Sequence, residues 1–543
     1  MQPKCPIIKL LGHRVLGHDI RWVSLLFVAL AVGCKDSSSK PGDAKPLPVL
    51  NSLSPETTLV IEQFCGNCHP SPSPTSFPKS NWPAEIERGF RFYFESGRRD
   101  LQEPLVLDTI QYFQSQAPEK IDLPSAEEFP TSPTNVRFVG SPLLLSGDNI
   151  SLTADIKWDN STKSLFFSDM ANGKLRSWSL ASETSFLDRS SDEFVTLAPE
   201  SVVAKGNHLC RINECDWNQD GIRDYLVAEI GSMIISDQKL GSVSIFLGQS
   251  DGKLTRIVLA EELARPAEAV PFDYDEDGDL DILVAEFGYH KSGCLSLLRN
   301  QSNDPSIPSM KASDFQYEVI DPRHGHLAVI VFDMDGDSKL DIVTAIGQEF
   351  EAINVRYNKG QGEYQNQIAM ALPDPSYNTS SIQVCDVDRD GHFDILHTCG
   401  DIFDSFIPKP YHGVRWIRNL GDGRWEPREL GMLIGAMQTA VADFDLDGDL
   451  DIAAVGLFPL SNQESKRKSY DSVCWWEQKG NLEFVRHSVE RDRCLHSSCA
   501  AHDIDGDGRP ELIVGEWAEG KTSASIRIFW NRILAEKPDG RPE

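Results

Sequence analysis

The sequence predicts a mainly β protein, a seven-bladed β-propeller preceded by a small all-α domain. A nine-residue acidic loop occurs six times at intervals of 53 to 60 residues, beginning at Asp216, Asp273, Asp333, Asp386, Asp443 and Asp503. A period of this length indicates an array of similar structural units. Short apolar runs rich in β-branched residues flank the loops, whereas residues 54–120 show helical patterns instead.

Each acidic loop has the composition of a calcium site. Oxygen-bearing side chains occupy positions 1, 3, 5 and 9, and position 6 is usually a glycine, which suits a hard cation. An EF-hand is excluded because Val227 and Val284 stand where its bidentate glutamate is required, and because the flanks, such as residues 328–332, are typical of strands. The loop is therefore expected to join two strands and to bind calcium structurally.

The predicted calcium ligands are the four oxygen-bearing residues of each loop. They are Asp216, Asn218, Asp220 and Asp224; Asp273, Asp275, Asp277 and Asp281; Asp333, Asp335, Asp337 and Asp341; Asp386, Asp388, Asp390 and Asp394; Asp443, Asp445, Asp447 and Asp451; and Asp503, Asp505, Asp507 and Glu511. Ser338 stands at position 6 of the third loop, and Glu511 replaces the usual final aspartate in the last loop.

A second hairpin follows the loop in most repeats, as in residues 413–425, so each repeat provides four strands, the content of one propeller blade. Residues 150–178 supply strands of a further blade that lacks the acidic loop, which brings the count to seven. The last repeat is one strand short. Residues 136–139, just ahead of the first blade, are predicted to provide that strand and to close the ring without a long unpaired edge.

The six loops, together with pieces such as Glu286-Phe287-Gly288, give residues 134–534 a resemblance to the FG-GAP/VCBS repeat family. That resemblance implies a propeller that can recognise a glycan or a protein. It also implies that the strand entering each loop is innermost, which would place a set of polar residues on one rim of the channel. These site candidates are His208, Arg265, His324, His326, His496, Glu229, Glu286 and Glu516. Groups of these types could bind a ligand or transfer protons, but each could equally be an ordinary solvated or hydrogen-bonded side chain.

The N-terminus predicts export. Basic residues precede an apolar run at 23–32, which is too short to span a bilayer and suits a signal peptide over residues 1–33. Residues 31–34 resemble a bacterial lipobox in which Cys34 would be lipidated, giving a membrane anchor; an ordinary signal peptide is the alternative. Residues 34–53 are then a linker. The net charge of −30 argues against a nucleic-acid partner.

Twelve cysteines are consistent with an oxidising compartment. Local disulfides between Cys210 and Cys215 and between Cys494 and Cys499 are possible, and buried free thiols are the alternative.

The motif Cys65-Gly-Asn-Cys68-His69 is the attachment pattern of c-type haem, in which two thiols bind the haem covalently and the histidine ligates the iron. A redox C-x-x-C pair or half a zinc site would leave His69 without a role. Helices are predicted from the Ser54-Pro55 start, around residues 83–96, and over 105–116. Residues 54–120 thus resemble a small cytochrome c domain, with a linker at 121–133 before the propeller at 134–543.

The usual sixth iron ligand is missing from this domain, because no methionine occurs between Met1 and Met170 and no histidine between His69 and His208. Three possibilities follow. The iron has an open position; it takes an unusual ligand, namely Lys79, Tyr93 or Tyr112; or it takes a ligand from the propeller or from a partner. The ligand decides between electron transfer and binding of small molecules.

The expected function is electron transfer through haem c, with a redox partner protein or a small electron donor and with the propeller as a docking or substrate-binding scaffold. The alternative is a cell-surface protein that binds a glycan or a protein, with the haem as a sensor or an accessory. Signature motifs of nucleotide-binding, zinc-protease and serine-hydrolase sites are absent from the sequence, so it leaves open whether the protein is an enzyme.

Overall fold

The computed structural model describes residues 53–130, 132–144, 148, 150–179, 201–301, 310–403, 405–458, 469–519 and 524–533. The predicted signal peptide, Cys34 and nearly all of the linker 34–53 lie outside the described residues.

Three α-helices confirm the helices predicted for the N-terminal region: α1 (Pro55–Cys65), α2 (Trp82–Glu95) and α3 (Val106–Gln116). Helix α1 begins as its sequence predicts, because the Ser54 side chain accepts a hydrogen bond from the Thr57 backbone N–H at 3.1 Å. The three helices share a core that includes Ile61, Trp82 and Phe113. None of the helices in the described ranges is long and apolar enough to cross a lipid bilayer.

The rest of the described chain is mainly β. Its strands are β1 (Val136–Leu144), β2 (Ile150–Asp159), β3 (Ser164–Asp169), β4 (Lys174–Ser179), β5 (Ser201–Lys205), β6 (Leu209–Cys215), β7 (Asp224–Glu229), β8 (Gly241–Gly248), β9 (Leu254–Leu263), β10 (Pro266–Phe272), β11 (Asp281–Glu286), β12 (Cys294–Asn300), β13 (Phe315–Asp321), β14 (His326–Phe332), β15 (Asp341–Ile346), β16 (Ala352–Gly360), β17 (Glu363–Ala371), β18 (Thr379–Cys385), β19 (Asp394–Cys399), β20 (Gly413–Asn419), β21 (Trp425–Met432), β22 (Ala436–Ala442), β23 (Asp451–Gly456), β24 (Asp471–Gln478), β25 (Phe484–Arg491), β26 (His496–His502), β27 (Glu511–Glu519) and β28 (Ala524–Ile533).

These strands form propeller-like sheets. Five sheets each contain four consecutive antiparallel strands: β6–β9, β10–β13, β14–β17, β18–β21 and β22–β25. The remaining eight strands form one sheet, in which β2–β5 make one four-stranded meander and β26, β27, β28 and β1 make the other. The two meanders are joined where β2 pairs with β27 over three residues.

The N-terminal strand β1 pairs antiparallel with the C-terminal strand β28, with Val136 opposite Ile533. The predicted replacement of the missing fourth strand is therefore confirmed, and the strand is longer than the four residues expected. Because β1 covers β28, the last meander does not end in a long unpaired edge.

The hydrophobic core lies between successive sheets. In each of the five four-stranded sheets the second strand is buried along its whole length. One core cluster, for example, joins Leu226 and Ile245 of one sheet to Ile282 and Val284 of the next. Strands buried on both faces carry apolar residues without alternation, which explains runs such as Asp341-Ile-Val-Thr-Ala-Ile346.

The segment predicted as a linker at 121–133 packs against the sheets. Leu123 is buried in a cluster with Ile402 and Phe458. The Ala126 backbone N–H donates to the Ser469 carbonyl at 2.7 Å, and the Arg486 guanidinium lies 4.1 Å from the centre of the Phe129 ring. These contacts tether the chain between the helices and β1 to the sheets.

Candidate functional site

The two motif cysteines and the motif histidine lie at the end of α1. Cys65 is the last residue of that helix, and the Gly66 N–H donates to the Glu62 carbonyl as its cap. The chain then turns through Cys68 to His69. Both cysteines are free thiols, and burial raises the pKa of the Cys65 thiol to about 12.

The His69 ring is oriented by its own backbone neighbourhood. Its Nδ1 lies 2.8 Å from the Pro70 carbonyl oxygen, to which it donates. An imidazole that donates from Nδ1 to a carbonyl keeps the lone pair on Nε2, the arrangement found in metal-ligating histidines. His69 is therefore prepared to ligate a metal through Nε2.

A cavity of about 440 Å³ opens beside this motif. The volume lies within the range of about 300–1,000 Å³ for small-molecule and cofactor sites. On the helical side it is lined by the motif residues and by aromatic side chains, namely Phe64, Cys65, Cys68, His69, Phe77, Trp82, Phe90, Phe92, Tyr93 and Phe113. Such a lining suits a large, flat, mostly apolar ligand.

The opposite wall of the cavity comes from loops of the sheets. These are the connections β11–β12, β13–β14, β15–β16, β17–β18 and β19–β20. Together they contribute Tyr289, His290, Lys291, His324, Gln348, Glu349, Phe350, Pro375, Ser376, Asn378, Ser405 and Lys409. In an antiparallel meander, alternate connections lie at opposite ends of the strands. The acidic loops join first to second strands, so the cavity lies on the face opposite to them.

Specific contacts hold the helical segment on this face. The Ser376 hydroxyl donates to the Ser76 hydroxyl at 2.9 Å, and the Lys409 ammonium donates to the Ser76 carbonyl. Lys409 is fully buried, with its Nζ 3.5 Å from the centre of the Phe77 ring, and burial lowers its pKa to about 7. The helices and the sheets thus share a desolvated interface around the cavity.

Two histidines and a glutamate face the cavity from the sheet side. The Nε2 of His324 forms an ion pair with Glu349, and the Nδ1 of His290 lies 3.7 Å from Glu349 Oε1. The His290 ring packs on Phe92 of α2, with ring centres 3.8 Å apart. Burial alone would raise the pKa of Glu349, but these two histidines hold it down to about 2.

Sequence reasoning placed His324 on a channel rim and missed His290 and Glu349. The missing sixth ligand was the available signal, since a ligand from the propeller was one of the three possibilities that it left open. The spacing of the sheet loops did not single out His290 or Glu349, because these residues lie more than 200 positions from His69 and line the same cavity only in the folded chain.

The three unusual ligands considered from the sequence have other partners. Lys79 pairs with Glu119 at 3.1 Å, and the Tyr112 hydroxyl donates to Glu62 at 3.0 Å; neither residue lines the cavity. Tyr93 does line the cavity, but its hydroxyl oxygen accepts from the Leu101 N–H at 3.1 Å.

The acidic loops share one backbone form. At position 6 the residue has a positive φ in every loop, from 69° at Ser338 to 101° at Gly448. The N–H of that residue donates to the first aspartate, at 2.9 Å from Ser338 to Asp333 and at 3.0–3.1 Å in the other loops. Serine at this position therefore adopts the conformation that favours glycine.

Five of the loops bring three carboxylates together. In each, the ligand atoms of positions 1, 3 and 9 lie within 4.8 Å of one another: Asp273, Asp275 and Asp281; Asp333, Asp335 and Asp341; Asp386, Asp388 and Asp394; Asp443, Asp445 and Asp451; Asp503, Asp505 and Glu511. Buried oxygens of Asp388 and Asp443 have no hydrogen-bond partner within the described part of the chain. Like charges this close and this poorly hydrated suit a divalent cation.

The residue at position 9 is the first residue of the second strand in all six repeats. In Asp451 the carboxylate accepts from the N–H of Phe444 at 2.8 Å and of Gln478 at 2.9 Å, so it ties the start of the second strand to the loop and to the third strand. Burial nevertheless raises its pKa to about 8, and likewise raises the pKa of Asp281 to about 7. The groups around these carboxylates therefore do not compensate for their burial.

The carboxylate at position 5 lies outside those groups of three. It accepts from the backbone N–H two residues later, as Asp277 does from Asp279 at 3.1 Å and Asp507 from Arg509 at 3.0 Å. In the first loop Asn218 occupies position 3, and its amide donates to Asp220 at 2.9 Å. That loop has the same backbone form with one carboxylate fewer.

The channel-rim carboxylates have partners within their own sheets. Glu229 binds Arg256 at 2.8 Å, Glu286 accepts from Ser296 at 2.6 Å and from Tyr317 at 2.9 Å, and Glu516 binds Arg527 at 3.0 Å. All three glutamates are buried. Each one thus cross-links the second strand to an outer strand of the same sheet.

The basic rim candidates bridge neighbouring elements in the same way. His208 donates to the Met170 carbonyl at 2.8 Å, Arg265 donates to the Gly288 carbonyl at 2.9 Å, His326 lies 3.7 Å from Asp321, and His496 bonds to Glu490 at 2.5 Å. His496 also lies 3.8 Å from Glu516 Oε1, and His324 lines the cavity.

The possible disulfides between Cys210 and Cys215 and between Cys494 and Cys499 are wrong, because all four cysteines are free thiols. Cys210 and Cys215 lie five residues apart within strand β6. An extended strand rises about 3.3 Å per residue, so their backbones are too far apart for a bond that requires Cα atoms within about 7 Å.

Comparison with known proteins identifies the repeats. A family model described as an FG-GAP-like repeat matches residues 216–284 and 327–397, each of which spans two acidic loops. The chain therefore contains FG-GAP-like repeats. No curated protein is significantly similar to it in sequence.

Several solved structures are distantly similar to the chain. The Dos1 propeller is 11% identical over 70% of this chain and 77% of its own, with a TM-score of 0.39. BBS1N, in a complex with ARL6DN, is 10% identical over 75% of this chain and 99% of its own, with a TM-score of 0.42. The periplasmic gluconolactonase PpgL of Pseudomonas aeruginosa is 12% identical over 69% and 87%, with a TM-score of 0.39. Likenesses this distant say nothing about what the chain binds.

Proposed function

We propose that this chain binds haem c covalently through Cys65 and Cys68, with His69 as an axial ligand, and that it transfers electrons. The observation that carries the proposal is the aromatic cavity of about 440 Å³ that adjoins all three motif residues. The thiols are unpaired, as thioether formation requires, and His69 presents Nε2. A haem bound there would supply one-electron oxidation and reduction.

The chain's own residues would hold and shield that group. Phe64, Trp82 and Phe113 are buried and give the cavity apolar walls, which lower the local dielectric and exclude water. The His69 ring is held by the Pro70 carbonyl, so the ligand does not need to reorient. The sheet loops close the remaining side and form the scaffold on which a redox partner protein or a small electron donor would dock.

The sheets are proposed to form seven blades, counting β2–β5 as the first and β26, β27, β28 and β1 as the last. The acidic loops are proposed to bind calcium as a structural ion. In support, three carboxylates converge in five loops, and the loop backbone repeats in all six. The acidic loops lie on the face away from the cavity, so the ion would stiffen the scaffold rather than take part in electron transfer.

The protein is further proposed to work outside the cytoplasm, in the periplasm or at the cell surface, anchored to the membrane through lipidated Cys34. Attachment of c-type haem takes place in the same compartment, so the two proposals agree. A glycan or protein ligand for the propeller is the remaining alternative function, with the haem as a sensor or an accessory.

The test is expression of the full chain together with a c-type haem maturation system. We expect haem that stays attached to the denatured polypeptide, and we expect Cys68→Ser to lose a thioether bond and much of the haem. Cys385→Ala serves as the control and should retain wild-type haem content, because Cys385 directly precedes an acidic loop and does not line the cavity. A wild-type chain that carries no covalent haem would remove the proposal.

A further inference from the structure

The helical segment places one histidine beside the cavity, and the sheet loops on the opposite wall place others there. His69 approaches the cavity from the helices, whereas His290 and His324 line it from the β11–β12 and β13–β14 connections. A cofactor held between these walls would have protein on both of its faces. The two sheet histidines differ in which ring nitrogen is already engaged.

The Nε2 of His324 is taken by its ion pair with Glu349. In His290 the nitrogen nearest to Glu349 is instead Nδ1, at 3.7 Å from Oε1. Both ring nitrogens of His290 are shielded from solvent, and neither has a hydrogen-bond partner among the described residues. A buried imidazole nitrogen without a partner loses its hydration with no hydrogen bond to compensate, so Nε2 of His290 is available to a ligand.

The environment of His290 matches that of a metal-ligating histidine. Such a ligand commonly directs its second ring nitrogen at a carboxylate or a carbonyl, which fixes the ring and raises its basicity. Glu349 is placed to play this part for His290 as the Pro70 carbonyl does for His69. The Phe92 ring, 3.8 Å away between centres, limits rotation of the imidazole.

Lys409 is the other buried base on this wall, but its ammonium donates to the Ser76 carbonyl and lies over the Phe77 ring. It therefore already has partners for its charge.

We propose that His290 supplies the sixth iron ligand from the propeller through Nε2, with Glu349 as its positioning residue. This inference rests on the proposed haem site at Cys65, Cys68 and His69. It makes the redox centre a joint product of two parts of the chain: the helices provide the covalent bonds and one axial ligand, and the sheets provide the other. Electron transfer then requires the helical segment to be docked.

The experiment compares haem-loaded full-length wild type with His290→Ala and with the matched control His324→Ala. Covalent haem content is measured on denatured protein, and absorption and EPR spectra are recorded on native protein in both oxidation states, with and without CO. We expect a low-spin wild type that CO does not shift. His290→Ala should become high-spin and bind CO, with unchanged haem content, and His324→Ala should stay low-spin.

Two further measurements separate loss of a ligand from loss of structure. Added imidazole should return His290→Ala to the low-spin state, because it replaces the missing ring. Glu349→Gln should stay low-spin but shift to a higher reduction potential, because a less basic ligand stabilises the oxidised iron less.

A high-spin wild type, a low-spin His290→Ala, or a spin change in His324→Ala alone would overturn the assignment while leaving the haem site standing. Absence of covalent haem from the wild type would overturn both.

Discussion

The hairpin between β2 and β3 joins the first two strands of its meander, as each acidic loop does, but its buried carboxylate is stabilised differently. At Asp159 the carboxylate accepts from the Ser161 N–H at 2.8 Å, from the Ser161 hydroxyl at 2.6 Å and from the Thr162 hydroxyl at 2.6 Å, and Arg223 lies 3.0 Å away. Burial alone would raise the pKa of Asp159, but these hydrogen bonds hold it well below its ordinary range. Here the protein alone satisfies the charge.

In the acidic loops the effect of burial on the carboxyl pKa outweighs that of the hydrogen bonds. Asp451 accepts two backbone hydrogen bonds, yet burial and its aspartate neighbours raise its pKa to about 8. The Asp216 loop is intermediate, because Asn218 replaces one carboxylate. Hydroxyl and guanidinium groups thus complete one hairpin corner, and we expect a bound cation to complete the others.

Removing divalent ions should produce the largest effect. Each occupied site stabilises the fold by about 3 kcal/mol when calcium exceeds its Kd a hundredfold. Five converging groups should therefore give a large drop in Tm on adding a chelator, reversed by excess calcium. Thermal unfolding followed by circular dichroism, together with metal analysis, measures this. An identical Tm in both buffers would mean that the loops need no ion.

A single loop can be compared directly with the hairpin at Asp159. Asp335→Ala should remove one bound calcium and destabilise the protein by about 3 kcal/mol in calcium, but by much less in chelator. Asp159→Ala should cost about 1–2 kcal/mol in both buffers, because it loses hydrogen bonds and not an ion. Denaturant unfolding of both variants in both buffers is the measurement. If Asp335→Ala lowered the free energy of unfolding equally without calcium, its loop would not depend on a bound ion, like the hairpin at Asp159.

The pH dependence should depend on calcium. Burial raises the pKa of Asp451 and Glu511 to about 8, of Asp281 and Asp394 to about 7, and of Asp341 to about 6. A raised carboxyl pKa stabilises the fold below the unfolded pKa, and this stability is lost as pH rises through the folded value. In chelator, Tm should therefore fall between about pH 5 and pH 8. In calcium this loss should be absent, so the difference between the two buffers widens with pH; a constant difference would contradict this.

The smallest effect is expected at the first loop. Asn218→Asp restores the carboxylate that the other five loops have at position 3. We expect calcium affinity at that loop to rise up to tenfold, which is about 1.4 kcal/mol, and stability in chelator to fall slightly through added repulsion. Calorimetric titration with calcium reports both the affinity and the number of sites. Unchanged binding would show that an amide oxygen serves as well as a carboxylate there.

Local sequence predicted the repeats well because their information is local. An aspartate at position 1, a turn residue at position 6 and a strand start at position 9 all lie within nine residues, and even Ser338 follows the shared backbone. The three helices and the closing strand were predictable for the same reason. Their caps and apolar patterns lie within the segment itself.

The cavity was not predictable, because its two walls are far apart in the chain. The pairing of His290 with Glu349, and the burial of Lys409 against Phe77, depend on how the helices dock on the sheet loops. The partners of the rim carboxylates were not predictable for a related reason. The spacing that put Glu229, Glu286 and Glu516 at strand ends did not reveal arginine and hydroxyl partners on outer strands.

The pairing of β1 with β28 also governs the order in which the protein can be completed. Val136 lies opposite Ile533, so almost the whole chain must be synthesised before the partner of β1 exists. Contacts of such long range form slowly, since loop-closure entropy is lost before they are made. During synthesis from the N-terminus, β1 would therefore have no partner until β28 is made, and it could pair wrongly in that interval. Truncation of even the final strand would leave both ends of the ring open.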